Sequence, residues 1–207
     1  MTLATIRTEI LDIVDSPDIT DTAVDSLINK ALLYISARVP LPALEMYDEI
    51  DITGITFPVN RVSLPDDYQR GLFYCNDGND ITILSSAARL QREGAFFSGD
   101  SWRVCAVSQS EILFSDTVEI DTLITIGYLR NPETDEVDIF PPGHEEDPIV
   151  NYCCWKLFNK IEDGDDGRTP NTTKYQGYLR KDIKELRTLL QESQPQRRPT
   201  SATKQWI

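Results

Sequence analysis

The sequence predicts an α+β fold: a four-helix bundle-like domain made of an N-terminal and a C-terminal helix pair, an inserted small antiparallel β-barrel or sandwich, and an extended C-terminal arm. Three observations carry this. Apolar residues recur at three- and four-residue steps near both ends of the chain, and at two-residue steps in the middle. Gly, Pro and Asp-Gly break up the middle runs. The charge changes sign near the end: 17 bases and 34 acids precede Ser193, whereas three bases and no acid follow it.

Leu3, Ile6, Ile10 and then Ile13 or Val14 trace one face of a short first helix, which halts at Ser16-Pro17-Asp18. Thr20 or Asp21 caps a second helix, whose stripe runs Val24, Leu27, Ile28, Ala31, Leu32 and Ile35 before Pro40 and Pro42. The two read as an antiparallel helical hairpin.

From about Met46 to Leu129 the apolar residues alternate in short runs: Ile50 and Ile52, Leu72 to Tyr74, Ile81 and Ile83, Trp102 to Ala106, Ile112 and Phe114, Leu123 to Ile126. Gly54, Pro58, Asp77-Gly78, Gly94 and Gly99 separate them. Ser101 to Val107 followed by Glu111 to Phe114 reads as a hairpin, and Ala87 to Arg92 allows one helical turn.

An acidic, proline-containing connection, Glu133 to Pro142, leads into the third helix, with Ile149, Tyr152, Cys153, Lys156, Leu157 and Ile161 on one face. Glu145, Glu146, Asp147 and Pro148 stand where a helix start favours acids and tolerates proline. Gly164 and Gly167 break the pattern. Thr172 or Thr173 caps the last helix, striped by Tyr175, Tyr178, Leu179, Ile183, Leu186 and Leu190. Its outer face carries Lys174, Arg180, Lys181, Lys184 and Arg187. Neither helix pair buries two faces alone, so the first pair is expected to pack on the second. The expected domains are 1–45 and 131–192 for the two parts of the helical domain, 46–130 for the β insertion and 193–207 for the arm.

Of the 207 residues, 40% are hydrophobic and 9% aromatic, enough for a packed core and too much for a wholly disordered chain. A net charge of −14 argues against a conventional duplex-binding surface, because neutralising phosphates takes a basic face. It leaves open a protein that meets DNA without holding it. Cys75, Cys105, Cys153 and Cys154 form no C-x-x-C pair and read as buried free thiols of a chain made in a reducing cytoplasm. The N-terminus lacks the basic start and apolar run of a signal peptide, and no window reaches the ~18 apolar residues of a membrane span. Neither export by that route nor membrane insertion is expected.

The search for chemistry returns little. His144, the single histidine, opens the stretch H-E-E-D; a metal-assisted hydrolase using His144, Glu145 and Asp147 is the enzyme alternative. A helix dipole accounts for these acids more simply, and no second histidine exists to complete a zinc or iron site. Asp163 to Gly167 resembles part of a calcium loop, but the positions that need Gly and a bidentate acid hold Arg168 and Lys174. Asp66 and Asp67 are adjacent on an extended segment, point opposite ways, and suit a turn. No nucleophile elbow, phosphate loop or dinucleotide fingerprint occurs. No catalytic residue, metal or cofactor is assigned, and the chain is not expected to be an enzyme.

The tail, Gln194 to Ile207, is polar and basic and ends in Trp206-Ile207, an apolar payload with nothing in the tail to pack against. It suits an arm that threads along a partner and plugs a pocket.

Four segments give the chain a family likeness: I-N-K-A-L-L-Y-I from Ile28, S-L-P-D-D-Y from Ser63, I-G-Y-L-R-N-P-E from Ile126, and H-E-E-D-P-I-V-N-Y-C from His144 followed by a Tyr-rich final helix. In this order and spacing they resemble the head-to-tail adaptor (connector) proteins of tailed bacteriophages, of the tail accessory type found in short-tailed phages. The resemblance implies a structural virion protein of the neck that forms a homo-oligomeric ring, commonly a dodecamer. Such a ring joins the portal protein to the tail nozzle or another tail protein, and extends the channel through which duplex DNA leaves without specific binding. It also implies that residues 193–207 dock on the portal, with Arg197, Arg198 and Lys204 supplying charge and Trp206 and Ile207 the anchor. A tail-completion or stopper protein of the neck is the alternative within the same class.

Overall fold

The computed structural model describes residues 2–51, 61–88, 90, 104–114, 123–144, 146–162 and 169–193. Among them are four helices and seven strands in two sheets, an α+β fold. The chain divides into two compact units, Met1–Leu41 with Glu133–Ile207, and Pro42–Pro132.

The helical unit opens with α1 (Leu3–Val14), whose first turn is capped by the Thr2 hydroxyl accepting from the Thr5 N–H. Ile6, Ile10 and Val14 are its buried face. The chain leaves through Asp15 at φ 43°, a left-handed conformation aspartate tolerates, and the Asp15 N–H bonds the Leu11 carbonyl at 2.8 Å. Thr20 then caps α2 (Asp21–Ser36) through Ala23, and every residue of the expected stripe from Val24 to Ile35 is buried. Arg7 joins the two helices by a bidentate pair with Asp25, both bonds 2.7 Å.

In α3 (Asp147–Ile161), Pro148 sits in the first turn and Asp147 supplies the acid favoured there. Ile149, Val150, Tyr152, Cys153, Cys154 and Leu157 are buried, which suits a helix that packs on α1, on α2 and on α4 (Pro170–Ser193). Two members of the expected stripe are not core. Ile161 ends the helix and is 50% exposed, and Lys156 instead lays its ammonium 3.7 Å from the centre of the Trp155 ring. On α4, Leu179, Ile183, Leu186 and Leu190 are buried as expected, whereas Tyr178 is 47% exposed. The last helix also starts before the expected cap. Glu162 accepts from the N–H groups of Asn171 and Thr172 at 3.0 and 2.9 Å, so an acid just past α3 closes the start of α4. The expected Asp163–Gly167 turn lies outside the described residues.

The second unit begins with a 3-10 turn at Pro42–Leu44 and holds β1 (Glu45–Asp51), β2 (Arg61–Ser63), β3 (Tyr68–Asn76), β4 (Thr82–Leu84), β5 (Val104–Ser108), β6 (Glu111–Phe114) and β7 (Leu123–Arg130). One sheet has the order β1-β7-β3, the other β2-β6-β5-β4. The expected β5–β6 hairpin is present, turning through Gln109 at φ 55°. The expected antiparallel barrel or sandwich is narrowed in one respect and corrected in another. The described strands make two open sheets rather than a closed barrel, and the block is not wholly antiparallel, since β4 runs parallel to β5 with Ile83 opposite Cys105. A parallel pair needs a long crossover, and residues 85–103 provide the length; Ala87, Ala88 and Leu90 within them are helical.

Both sheets contribute to one core, with Leu72, Cys75, Ile124 and Ile126 from the first and Cys105 and Ile112 from the second. The central strand β7 passes so close to its neighbours that a Cβ on Gly127 would stand 2.6 Å from the Phe73 ring and 2.9 Å from the Tyr74 Cβ. Asp67 ties the turn before β3 to the end of β7. Its carboxylate accepts from the buried Tyr128 hydroxyl at 2.7 Å, and its carbonyl accepts from the Asn131 N–H at 2.7 Å.

Candidate functional site

At the start of α3 a carboxyl of α1 meets an acid of the expected H-E-E-D stretch. Glu9 of α1 faces Glu146, and its carboxyl is pushed up to about 7, first by burial and then by the hydrogen bond and negative charge of Glu146. Two carboxylates that close cannot both ionise cheaply, so Glu9 holds its proton more tightly than a free carboxyl does. His144 lies half-buried nearby in sequence, Asp147 is exposed at the first turn, and Glu145 lies outside the described residues. Among the described residues no group of three His, Cys, Asp or Glu side chains is placed to hold a metal ion.

The thiols of Cys105, Cys153 and Cys154 are shifted towards their protonated form. Cys75 on β3 and Cys105 on β5 meet in the shared core, and the Cys105 thiol is raised by its hydrogen bond to Cys75 and by burial. Burial raises Cys153 as well, and takes Cys154 up to about 12 with help from the Glu9 charge. A nucleophilic cysteine needs the opposite shift. Asp67 is likewise committed to structure by its two bonds, and burial raises the Tyr128 phenol it accepts from.

What the helical unit presents instead is surface. The outer face of α4 carries Lys174, Arg180, Lys181, Lys184 and Arg187, all exposed. Lys181 pairs with Glu185 at 3.5 Å and the Arg187 Nε donates to the Arg38 carbonyl. Lys184 and Arg180 have no acidic partner among the described residues. A shallow groove beside this face is lined by His144, Lys181, Lys184, Glu185, Thr188 and Leu189. On α1 the sign is reversed: a groove lined by Thr5, Thr8, Glu9 and Asp12 runs along the helix, and Asp15 and Asp18 are exposed just beyond it. A third feature is aromatic. Trp155 meets Tyr34 and the buried Tyr152 edge to face, those two tyrosines tilt against each other at 45°, the Arg38 guanidinium lies 3.4 Å over Tyr34, and Phe158 stacks on Tyr175 at 5.4 Å.

Of the residues expected from sequence to work, the α4 bases lie where the helical period put them. Arg197, Arg198, Lys204, Trp206 and Ile207 lie outside the described residues. The Glu9–Glu146 pair and the aromatic cluster were not legible: each joins segments far apart in the chain, and the only local signal was Tyr152 and Trp155 three residues apart. No described helix is long and apolar enough to cross a membrane. A family model described as SU10 adaptor protein matches residues 1–203. No curated protein matches the chain.

Proposed function

The chain belongs to the SU10 adaptor protein family, a phage head-to-tail adaptor family, and from that premise we propose that it forms a ring in the virion neck, of twelve copies in the usual manner of such adaptors, that joins the portal protein to the tail nozzle. The observation that carries this is the extent of the match: 1–203 takes in both units and most of the tail. A role in assembly also agrees with buried thiols and with charged side chains spent on surface.

In this reading residues 193–207 are the portal-docking arm. Arg197, Arg198 and Lys204 meet portal acids, and Trp206 with Ile207 fills an apolar pocket, the kind of buried aromatic anchor that dominates binding energy. The 34 acids against 17 bases before Ser193 give the ring an acidic channel wall. Like charge keeps duplex phosphates from sticking as the genome passes.

The test is co-assembly with purified portal, comparing the full chain with one cut before Ser193 and with Trp206→Ala. The cut chain should lose portal binding and Trp206→Ala should weaken it by about 2 kcal/mol or more, read by sedimentation and negative-stain microscopy. Equal assembly of all three removes the arm from the interface, and a full chain that never binds portal removes the adaptor reading.

A further inference from the structure

We propose that the basic outer face of α4 is the seat for the acidic α1 face of a second copy of this chain. The inference rests on the ring reading above and names the surfaces that would close it.

Three observations lead there. The first is charge. In a chain of net −14, the outer face of α4 gathers five exposed bases, of which Lys181 is paired with Glu185 across an exposed 3.5 Å contact. Along and just past α1 the exposed acids are Asp12, Asp15 and Asp18, and no base lies between Glu9 and Asp18. The second is placement. Both helices pack on α3, and α1 turns Ile6, Ile10 and Val14 inward, which leaves Thr5, Thr8 and Asp12 on the opposite side. The α4 core residues Leu179, Ile183 and Leu186 likewise leave Lys181, Lys184 and Thr188 outward. The two patches are thus outward faces of different helices in one unit.

The third is Gly177. It stands inside α4 on the exposed side, one turn from Lys174 and Lys181, and a Cβ built there would meet nothing within 4 Å. Glycine inside a helix is unfavourable, and among the described residues no neighbour calls for it. A notch between lysines lets a neighbouring helix come close to the α4 backbone while its carboxylates reach the flanking ammonium groups.

A two-fold pair would make this α4–α1 contact twice, reciprocally, and close at two copies. A head-to-tail contact repeats from copy to copy, which is how rings close.

Sedimentation velocity of the full chain tests this with four variants. Lys181→Glu with Lys184→Glu, and Asp12→Lys with Asp15→Lys, should each weaken self-assembly by about tenfold or more, since each sets like charges across the contact. The chain carrying all four changes should recover it, because complementarity returns with the signs exchanged. Gly177→Gln should raise the melting temperature, as a better helix former, yet reduce assembly by filling the notch. Assembly of the wild-type chain should also weaken in about 1 M salt, where screening acts over about 3 Å. Circular dichroism checks that each variant is folded.

Reversed variants that assemble like wild type, or a fourfold variant no better than either pair, overturn the inference and leave the ring reading standing. A wild-type chain that forms no oligomer alone or on portal overturns both. A duplex oligonucleotide bound by wild type and released by Lys181→Glu with Lys184→Glu would assign the face to nucleic acid and overturn the inference as well.

Discussion

Glu9 carries a pH dependence whose sign follows from its surroundings. Its carboxyl is raised from an ordinary 4.5 to about 7, by burial first and then by Glu146 and Asp147. The folded chain therefore binds this proton more tightly than the unfolded chain, and its contribution to stability is present below about pH 4.5 and is lost as the pH rises through about 7. The difference between the melting curves of wild type and Glu9→Gln, followed from pH 4.5 to 8, should show this: wild type loses stability relative to the variant across that window. A constant difference would mean that the fold does not raise the Glu9 carboxyl. Tyr128→Phe probes the other buried polar contact, leaving the Asp67 carboxylate without its donor; it should cost about 1 kcal/mol in urea unfolding. Neither residue announced its partner. Asp67 was legible as a turn former because Leu64-Pro65-Asp66-Asp67 is local chemistry, but Tyr128, 61 positions on, reads only as one apolar member of a strand.

At the level of elements, the helices were most legible where a neighbour covers them along their whole length. In α2 every turn faces the core, so the stripe from Val24 to Ile35 and the Thr20 cap follow from period and composition alone. Ile161 is exposed because it ends α3, and Tyr178 because it stands at the edge of the α4 stripe. The cap of α4 escaped for a different reason: its acceptor, Glu162, belongs to the segment after the previous helix. Burial would lift the Glu162 carboxyl, but the N–H groups of Thr172 and Asn171 outweigh it and hold it below its ordinary value. Glu162→Ala should lower the melting temperature and speed amide exchange at Asn171 and Thr172, while Glu162→Gln, which keeps an acceptor oxygen, should restore much of the protection. Alternation located β5, β6 and β7, but it carries no direction, and so could not announce that β4 and β5 run parallel.

For the whole molecule, the order of helices, strands and helices was readable from the change in period, and the break in charge near Ser193 from a count. How strands divide between sheets was not, because β7 pairs with β1 and β3, one far before it and one nearer, and no local pattern encodes either choice. The unit Pro42–Pro132 is continuous in sequence and has a core of its own, so residues 42–132 produced alone should unfold cooperatively in urea. A non-cooperative loss of structure would show that this core depends on the helical residues.

The helical unit is different, since its first two helices are made long before the third. α3 packs on both α1 and α2, yet it begins at Asp147, whereas α2 ends at Ser36. At about 5–20 residues per second of synthesis, the apolar stripes of the opening pair wait on the order of 5–20 s for their cover. Each new chain thus passes through an interval in which its N-terminal hairpin is open to other molecules, and the time at which a copy becomes ready to assemble is set by the emergence of residues near 150.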